Sequence, residues 1–117
     1  MGKSDIDDQP TMENLKWSQG EKSLARKVFD LALLREFQAT IQETKKRAEE
    51  VEQPSDLWEL EHFLTERRKE IDRTYDYRYS ALPMVFGLLI RKGRLKEEDL
   101  QGLGKDKLKF ILGVAKM

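Results

Sequence analysis

Apolar residues along this chain recur at helical rather than alternating spacing. Val28, Leu31 and Leu34 begin a stripe that Phe37, Ile41, Thr44, Ala48 and Val51 continue. Nothing between residues 20 and 53 breaks a helix: there is no proline, no glycine after Gly20, and many strong helix formers. Ser18 and Glu21 have the spacing of a capping box, with Trp17 at the staple position before it. The pattern predicts one helix over 18–53. At 1.5 Å per residue it would be roughly 54 Å long, whereas a compact domain of this size has a radius of gyration of about 13 Å. One subunit cannot cover such a rod. Within it, residues 28–34 (VFDLALL) are apolar nearly all round, so more than one element must touch them. Antiparallel pairing of two copies is the simplest solution, predicting a two-fold dimer with Leu34, Phe37 and Ile41 near the seam.

Pro54-Ser55-Asp56 is expected to end this helix and start the next, with Ser55 as cap and Asp56 near the positive end of the dipole. The second helix, to about residue 79, aligns Leu57, Leu60, Leu64, Ile71 and Tyr75 on a predicted core stripe. Trp58, His62, Thr65, Lys69 and Asp72 fall on another face, roughly 100° or more away. A tryptophan off the core stripe marks a candidate contact surface, the alternative being a ring tucked under a neighbouring helix. A third helix is predicted over 82–92, with Pro83 in its first turn and Gly93 as its cap. A short helix over 95–100 and a last one over 105–115 follow, the latter burying Leu108, Ile111, Leu112 and Ala115. Residues 1–16, polar and acidic with Pro10, read as a disordered tail. The expected architecture is all-α: a single helical domain over 17–117, with a long stem over 18–79 and a small head over 80–117.

Composition narrows the function. Lysine plus arginine and aspartate plus glutamate number 22 each, and this balance argues against a nucleic-acid partner. The basic clusters are Arg67-Arg68-Lys69 and Lys105, Lys107, Lys109; the first is flanked by Glu66 and Glu70, as in a salt-bridged helix surface. With no cysteine, disulfides and thiolate chemistry are excluded. The longest apolar run, 81–90, is interrupted by Pro83 and Gly87 and too short to span a membrane, and no signal-peptide pattern precedes it. A cytoplasmic protein without membrane insertion is expected. His62 is the only histidine; with Glu59 and Glu66 it could share a helix face as a carboxylate-metal site, though a solvated face is the plainer reading. Nothing marks a nucleophile with its base, and there is no glycine-rich phosphate loop. The expectation is a protein that is not an enzyme and holds no cofactor. Tyr75, Tyr77 and Tyr79 suit the neck between stem and head, or a protein contact.

Three groups of residues carry a resemblance to a known family. They are Trp17-Ser18-Gln19-x-Glu21, then Asp56-Leu57-Trp58-x-Leu60 with Phe63-Leu64, then Arg68-x-Glu70-Ile71-Asp72 with Tyr75-Asp76-x-Arg78. Val85-Phe86 and Leu88-Leu89 extend it to about residue 95. With these the chain resembles the fluorescence recovery proteins of cyanobacteria and their bacterial relatives. The resemblance implies an all-helical homodimer without cofactor that binds the photoactivated orange carotenoid protein, chiefly its C-terminal domain. It further implies faster return of that protein from the red quenching form to the orange form, so that it leaves the phycobilisome and fluorescence recovers. The implied partner surface includes Trp58 and Arg68. Where the family pattern has His-Asp this chain has Glu61-His62, and where it has an aromatic in the head this chain has Met84. The alternative is a helical adaptor of the same fold serving a different protein partner.

Overall fold

The computed structural model describes residues 15–117, and among these the chain is all-helical. Its elements are α1 (Gln19–Glu49), α2 (Pro54–Thr74), α3 (Leu82–Lys92), a 3-10 turn (Glu97–Leu100) and α4 (Lys105–Ala115). The tail expected over 1–16 lies, up to residue 14, outside the described residues. Leu15, which that tail included, is buried.

Helix α1 begins at the capping box expected of it. Ser18 Oγ accepts from the Glu21 N–H at 3.1 Å, while the Ser18 N–H donates to Glu21 Oε1 at 3.0 Å. Trp17 sits at the expected position directly before the cap, and its ring meets Tyr79, 5.5 Å away between centroids, at the neck. The helix ends at Glu49, four residues short of the expected 53, and is therefore about 46 Å long at 1.5 Å per residue. The shortening comes from the next helix. Asp56 accepts from the N–H groups of Glu52 and Gln53 at 3.0 and 2.9 Å, which turns the chain before Pro54. Gln53 takes the cap position expected of Ser55, and Pro54 opens α2 where its missing N–H costs nothing.

Contacts along the two long helices step in opposite directions: Tyr75 reaches Ala32 and Glu36, Arg67 reaches Thr40 and Glu43, and Arg47 lies over Phe63. They form an antiparallel hairpin, and the described molecule measures 71 × 26 × 22 Å. Helix α2 stops at Thr74 rather than near 79, and the following strip of extended chain carries the tyrosines across the neck. The Phe29 ring takes Tyr75 and Tyr77 edge-on at 5.5 and 4.9 Å.

The core sits at one end. Ala25, Val28, Phe29 and Ala32 of α1 pack against Leu82, Val85, Phe86 and Leu89 of α3, with Leu95, Leu100, Leu103 and Ile111 closing the lobe. The compact lobe thus includes the first half of α1 as well as 82–115. Helices α3 and α4 cross at Gly87, where a Cβ would lie 2.5 Å from Val114 Cβ and 2.8 Å from the Ile111 carbonyl; no larger residue permits that approach. Gly93 ends α3 with φ of +86° as the expected C-cap. The segment expected as a short helix is a 3-10 turn. Helix α4 has the expected bounds but buries Lys107, Ile111 and Val114, while Leu108, Leu112 and Ala115 are only half-buried. Lys107, placed in a surface basic cluster by sequence reasoning, is only 2% exposed. Its ammonium meets Glu21 at 3.2 Å and lies 5.2 Å from the Trp17 ring centre, partners supplied by the opposite end of the chain.

Candidate functional site

Beyond Glu36 the stem is bare. Between Phe37 and Glu70 no residue is buried. Leu34, Phe37 and Ile41 of α1 lie about half exposed, and so do Leu57 and Leu64 of α2, which the sequence pattern had assigned to the core stripe. The stripe was real but its cover was not: within one chain only its C-terminal part, at Ile71, is buried.

On another side of α2 a groove of about 680 Å³ runs along the helix. Trp58 and His62, one turn apart, form one bank, and Trp58 is 69% exposed. Glu59, Phe63 and Glu66 lie at helical spacing beside them, and Arg47 of α1 faces them. Phe63 is the floor, and sequence reasoning used it only for the resemblance. Its ring is covered by the guanidinium of Arg47, 4.1 Å from the ring centre, and by that of Arg67 at 5.0 Å. Both arginines share one carboxylate: Glu43 accepts from Arg47 at 2.8 and 3.0 Å and from Arg67 at 3.3 Å. The Arg47 hydrogen bonds, with those of Arg67 behind them, hold the Glu43 carboxyl below its usual range. Arg67 also donates to Thr40 Oγ1 at 3.2 Å. This clamp ties the bare ends of α1 and α2 together.

At the neck a second charged cluster joins stem and head. Glu36 is wholly buried; its Oε1 accepts the Tyr75 O–H at 3.0 Å and meets Lys92 at 3.1 Å and Arg94 at 3.3 Å. Lys92 also binds Glu70 at 2.9 Å, which lowers the Glu70 pKa. Burial, then the Glu36 charge, pushes the Tyr75 phenol above its ordinary value, so it stays a donor. Nothing in the local sequence signals this cluster, because its members come from four separate stretches.

The expected site residues are distributed as follows. Trp58 and His62 line the groove together. Glu61 is exposed outside it, its carboxylate accepting from Thr65 Oγ1 at 2.9 Å. Arg68 is exposed further along α2 and, among the described residues, has no ion pair, whereas its neighbours Arg67 and Lys69 do. Met84 lies half-buried on the head. The three residues of the metal reading, Glu59, His62 and Glu66, share the groove. Among the described residues, however, no three acidic or histidine side chains converge closely enough to hold a metal ion.

These features define a class: a small all-helical protein with a long stem whose outer half exposes apolar side chains and a groove. Comparison with known proteins places it within that class. The family model described as "Photoprotection regulator fluorescence recovery protein" matches residues 17–115. The fluorescence recovery protein of Synechocystis sp. is 36% identical over 101 residues, covering 86% of this chain and 93% of that protein. The structure of the Fremyella diplosiphon fluorescence recovery protein superposes with a TM-score of 0.83 at 40% identity, covering 87% of this chain and 100% of that one. The structure of the protein from Synechocystis sp. PCC 6803 has a TM-score of 0.83 at 35% identity, with coverage of 87% and 100%. The chain belongs to the fluorescence recovery protein family, a family of photoprotection regulators.

Proposed function

We propose that this chain is a non-enzymatic, dimeric regulator that binds the C-terminal domain of photoactivated orange carotenoid protein and accelerates its red-to-orange reversion, ending phycobilisome quenching. The observation that carries this reading is Trp58: a large aromatic, 69% exposed, on a stem face that no other described element covers. Indole and guanidinium side chains dominate the energetics of protein contacts, and Trp58 with the unpaired Arg68 supplies both on one helix. Such a helper acts by differential binding; it speeds reversion only by holding the barrier state more tightly than the red form. Two copies joined through Leu34, Phe37 and Ile41, with Leu57 and Leu64 beside them, would cover the bare stem and leave the groove open. Among the described residues no helix is long and apolar enough to cross a membrane.

Binding is the direct test of the surface. The wild-type chain is expected to co-elute with the isolated C-terminal domain of the carotenoid protein, and Trp58→Ala to weaken the complex by about 2 kcal/mol or more, roughly thirtyfold. Because the indole is exposed, the variant should keep its fold. Undiminished binding by Trp58→Ala would remove Trp58 from the contact. The alternative, an adaptor of the same fold with another protein partner, is favoured by one observation: Glu61 lies outside the groove and bonds Thr65. A folded wild-type chain that binds no carotenoid protein would select that alternative.

A further inference from the structure

The groove beside Trp58 contains more charge than it offers. Arg47 and Arg67 are engaged with Glu43 and stacked on Phe63. Glu70 is held by Lys92, and Glu66 by Lys69 at 3.4 Å. One lining charge remains: among the described residues Glu59 makes neither an ion pair nor a side-chain hydrogen bond. It follows Trp58 directly in sequence, and among the described residues no cation lies over the Trp58 ring. From successive positions of α2, about 100° apart round the helix, the groove thus offers an indole and a carboxylate without an ion pair, with His62 one turn on from Trp58.

That pairing has one matching chemistry. A carboxylate attracts a cation and accepts its N–H groups, and an indole face attracts the same cation through its quadrupole. A planar guanidinium does both at once by stacking on the ring while its edge donates to the carboxylate; an ammonium serves both only as a point charge, as Lys107 does between Glu21 and Trp17, and the groove's own floor holds guanidinia. The groove already shows this geometry in its own floor, where two guanidinia lie on Phe63 and share Glu43. We propose that the groove receives an arginine side chain of the protein partner, stacked on Trp58 and bonded to Glu59. The inference rests on the functional reading above and adds to it a named contact and its charge.

Among the described residues Glu59 makes no ion pair or side-chain hydrogen bond and it is exposed, so its substitution is expected to leave the fold intact. Affinity for photoactivated orange carotenoid protein is to be measured for wild type, Glu59→Gln, Glu59→Asp and Glu59→Arg at low and moderate salt. Loss of a charge-assisted hydrogen bond predicts a roughly tenfold weaker complex for Glu59→Gln, a greater loss for Glu59→Arg, and near wild-type binding for Glu59→Asp. Exposed arginines on the partner's C-terminal domain are then changed singly to glutamate. One of these variants should bind Glu59→Arg better than it binds wild type. Binding indifferent to Glu59→Gln, or no partner arginine whose reversal restores Glu59→Arg, overturns this inference alone. No binding by the wild-type chain overturns the functional reading and the inference together.

Discussion

Ile41→Glu is expected to yield a folded monomer. In one chain Ile41 is 51% exposed, and the neighbours that share its side of α1, Leu34 and Phe37, are exposed to about the same degree. From Phe37 to Glu70 the hairpin buries no residue, so its two helices are held mainly by the Glu43 clamp and half-covered side chains. Hydrophobic burial is the main favourable term in folding and association, and a stem this thin lacks it unless a second copy supplies it. Two-fold pairing places each substituted position in the seam twice. A carboxylate there has neither water nor a partner, at an effective cost of several kcal/mol per ion. Glutamate is itself a good helix former, so α1 should persist. Sedimentation at micromolar concentration is the check: wild type should run as a dimer and Ile41→Glu as a monomer with its lobe still folded. A dimeric Ile41→Glu protein would place the seam elsewhere on the stem.

The second large effect lies at the neck. Replacing Glu36 by leucine is expected to lower stability by about 2–4 kcal/mol. Removing one partner of a buried ion pair costs roughly 3–5 kcal/mol, and the partial exposure of Lys92 and Arg94 reduces that through solvent screening. Leucine leaves the Tyr75 hydroxyl without its carboxylate acceptor and two cations without the carboxylate between them. The midpoint of thermal unfolding should fall by about 10–20 °C. Glu36→Gln, which keeps an acceptor for Tyr75, should fall less. Circular dichroism melts at one fixed protein concentration give the comparison, since association shifts the apparent midpoint. A Glu36→Leu protein as stable as wild type would mean that apolar packing alone joins head to stem.

Local signals in the sequence were reliable wherever a single residue type decides the backbone. Ser18 with Glu21 starts α1, and Pro83 with Gly93 brackets α3. The turn between the long helices was placed but its cap was assigned to Ser55, because only the folded chain shows Asp56 taking the N–H groups of Glu52 and Gln53 and so setting the cap at Gln53. Periodicity found the apolar stripe of α2 but could not say whether the rest of the chain covers it, and so Leu57 and Leu64, both exposed, were read as core. Glu36 and Lys107 were invisible for a different reason. Each looks like an ordinary surface residue of a charged helix, and each is buried by partners from distant sequence: Lys92 and Arg94 for one, Glu21 and Trp17 for the other. The groove was half legible. Trp58 and His62 were found from their spacing, whereas the Phe63 floor and the Glu43 clamp need the register of α1 against α2, which no single helix encodes.

The central claim is that this chain speeds relaxation of a light-activated carotenoid protein. The most direct measurement is the dark rate of red-to-orange absorbance recovery of an orange carotenoid protein, with and without the chain. Recovery is expected to accelerate with increasing concentration of this chain. A folded chain that leaves the rate unchanged at every concentration would contradict it.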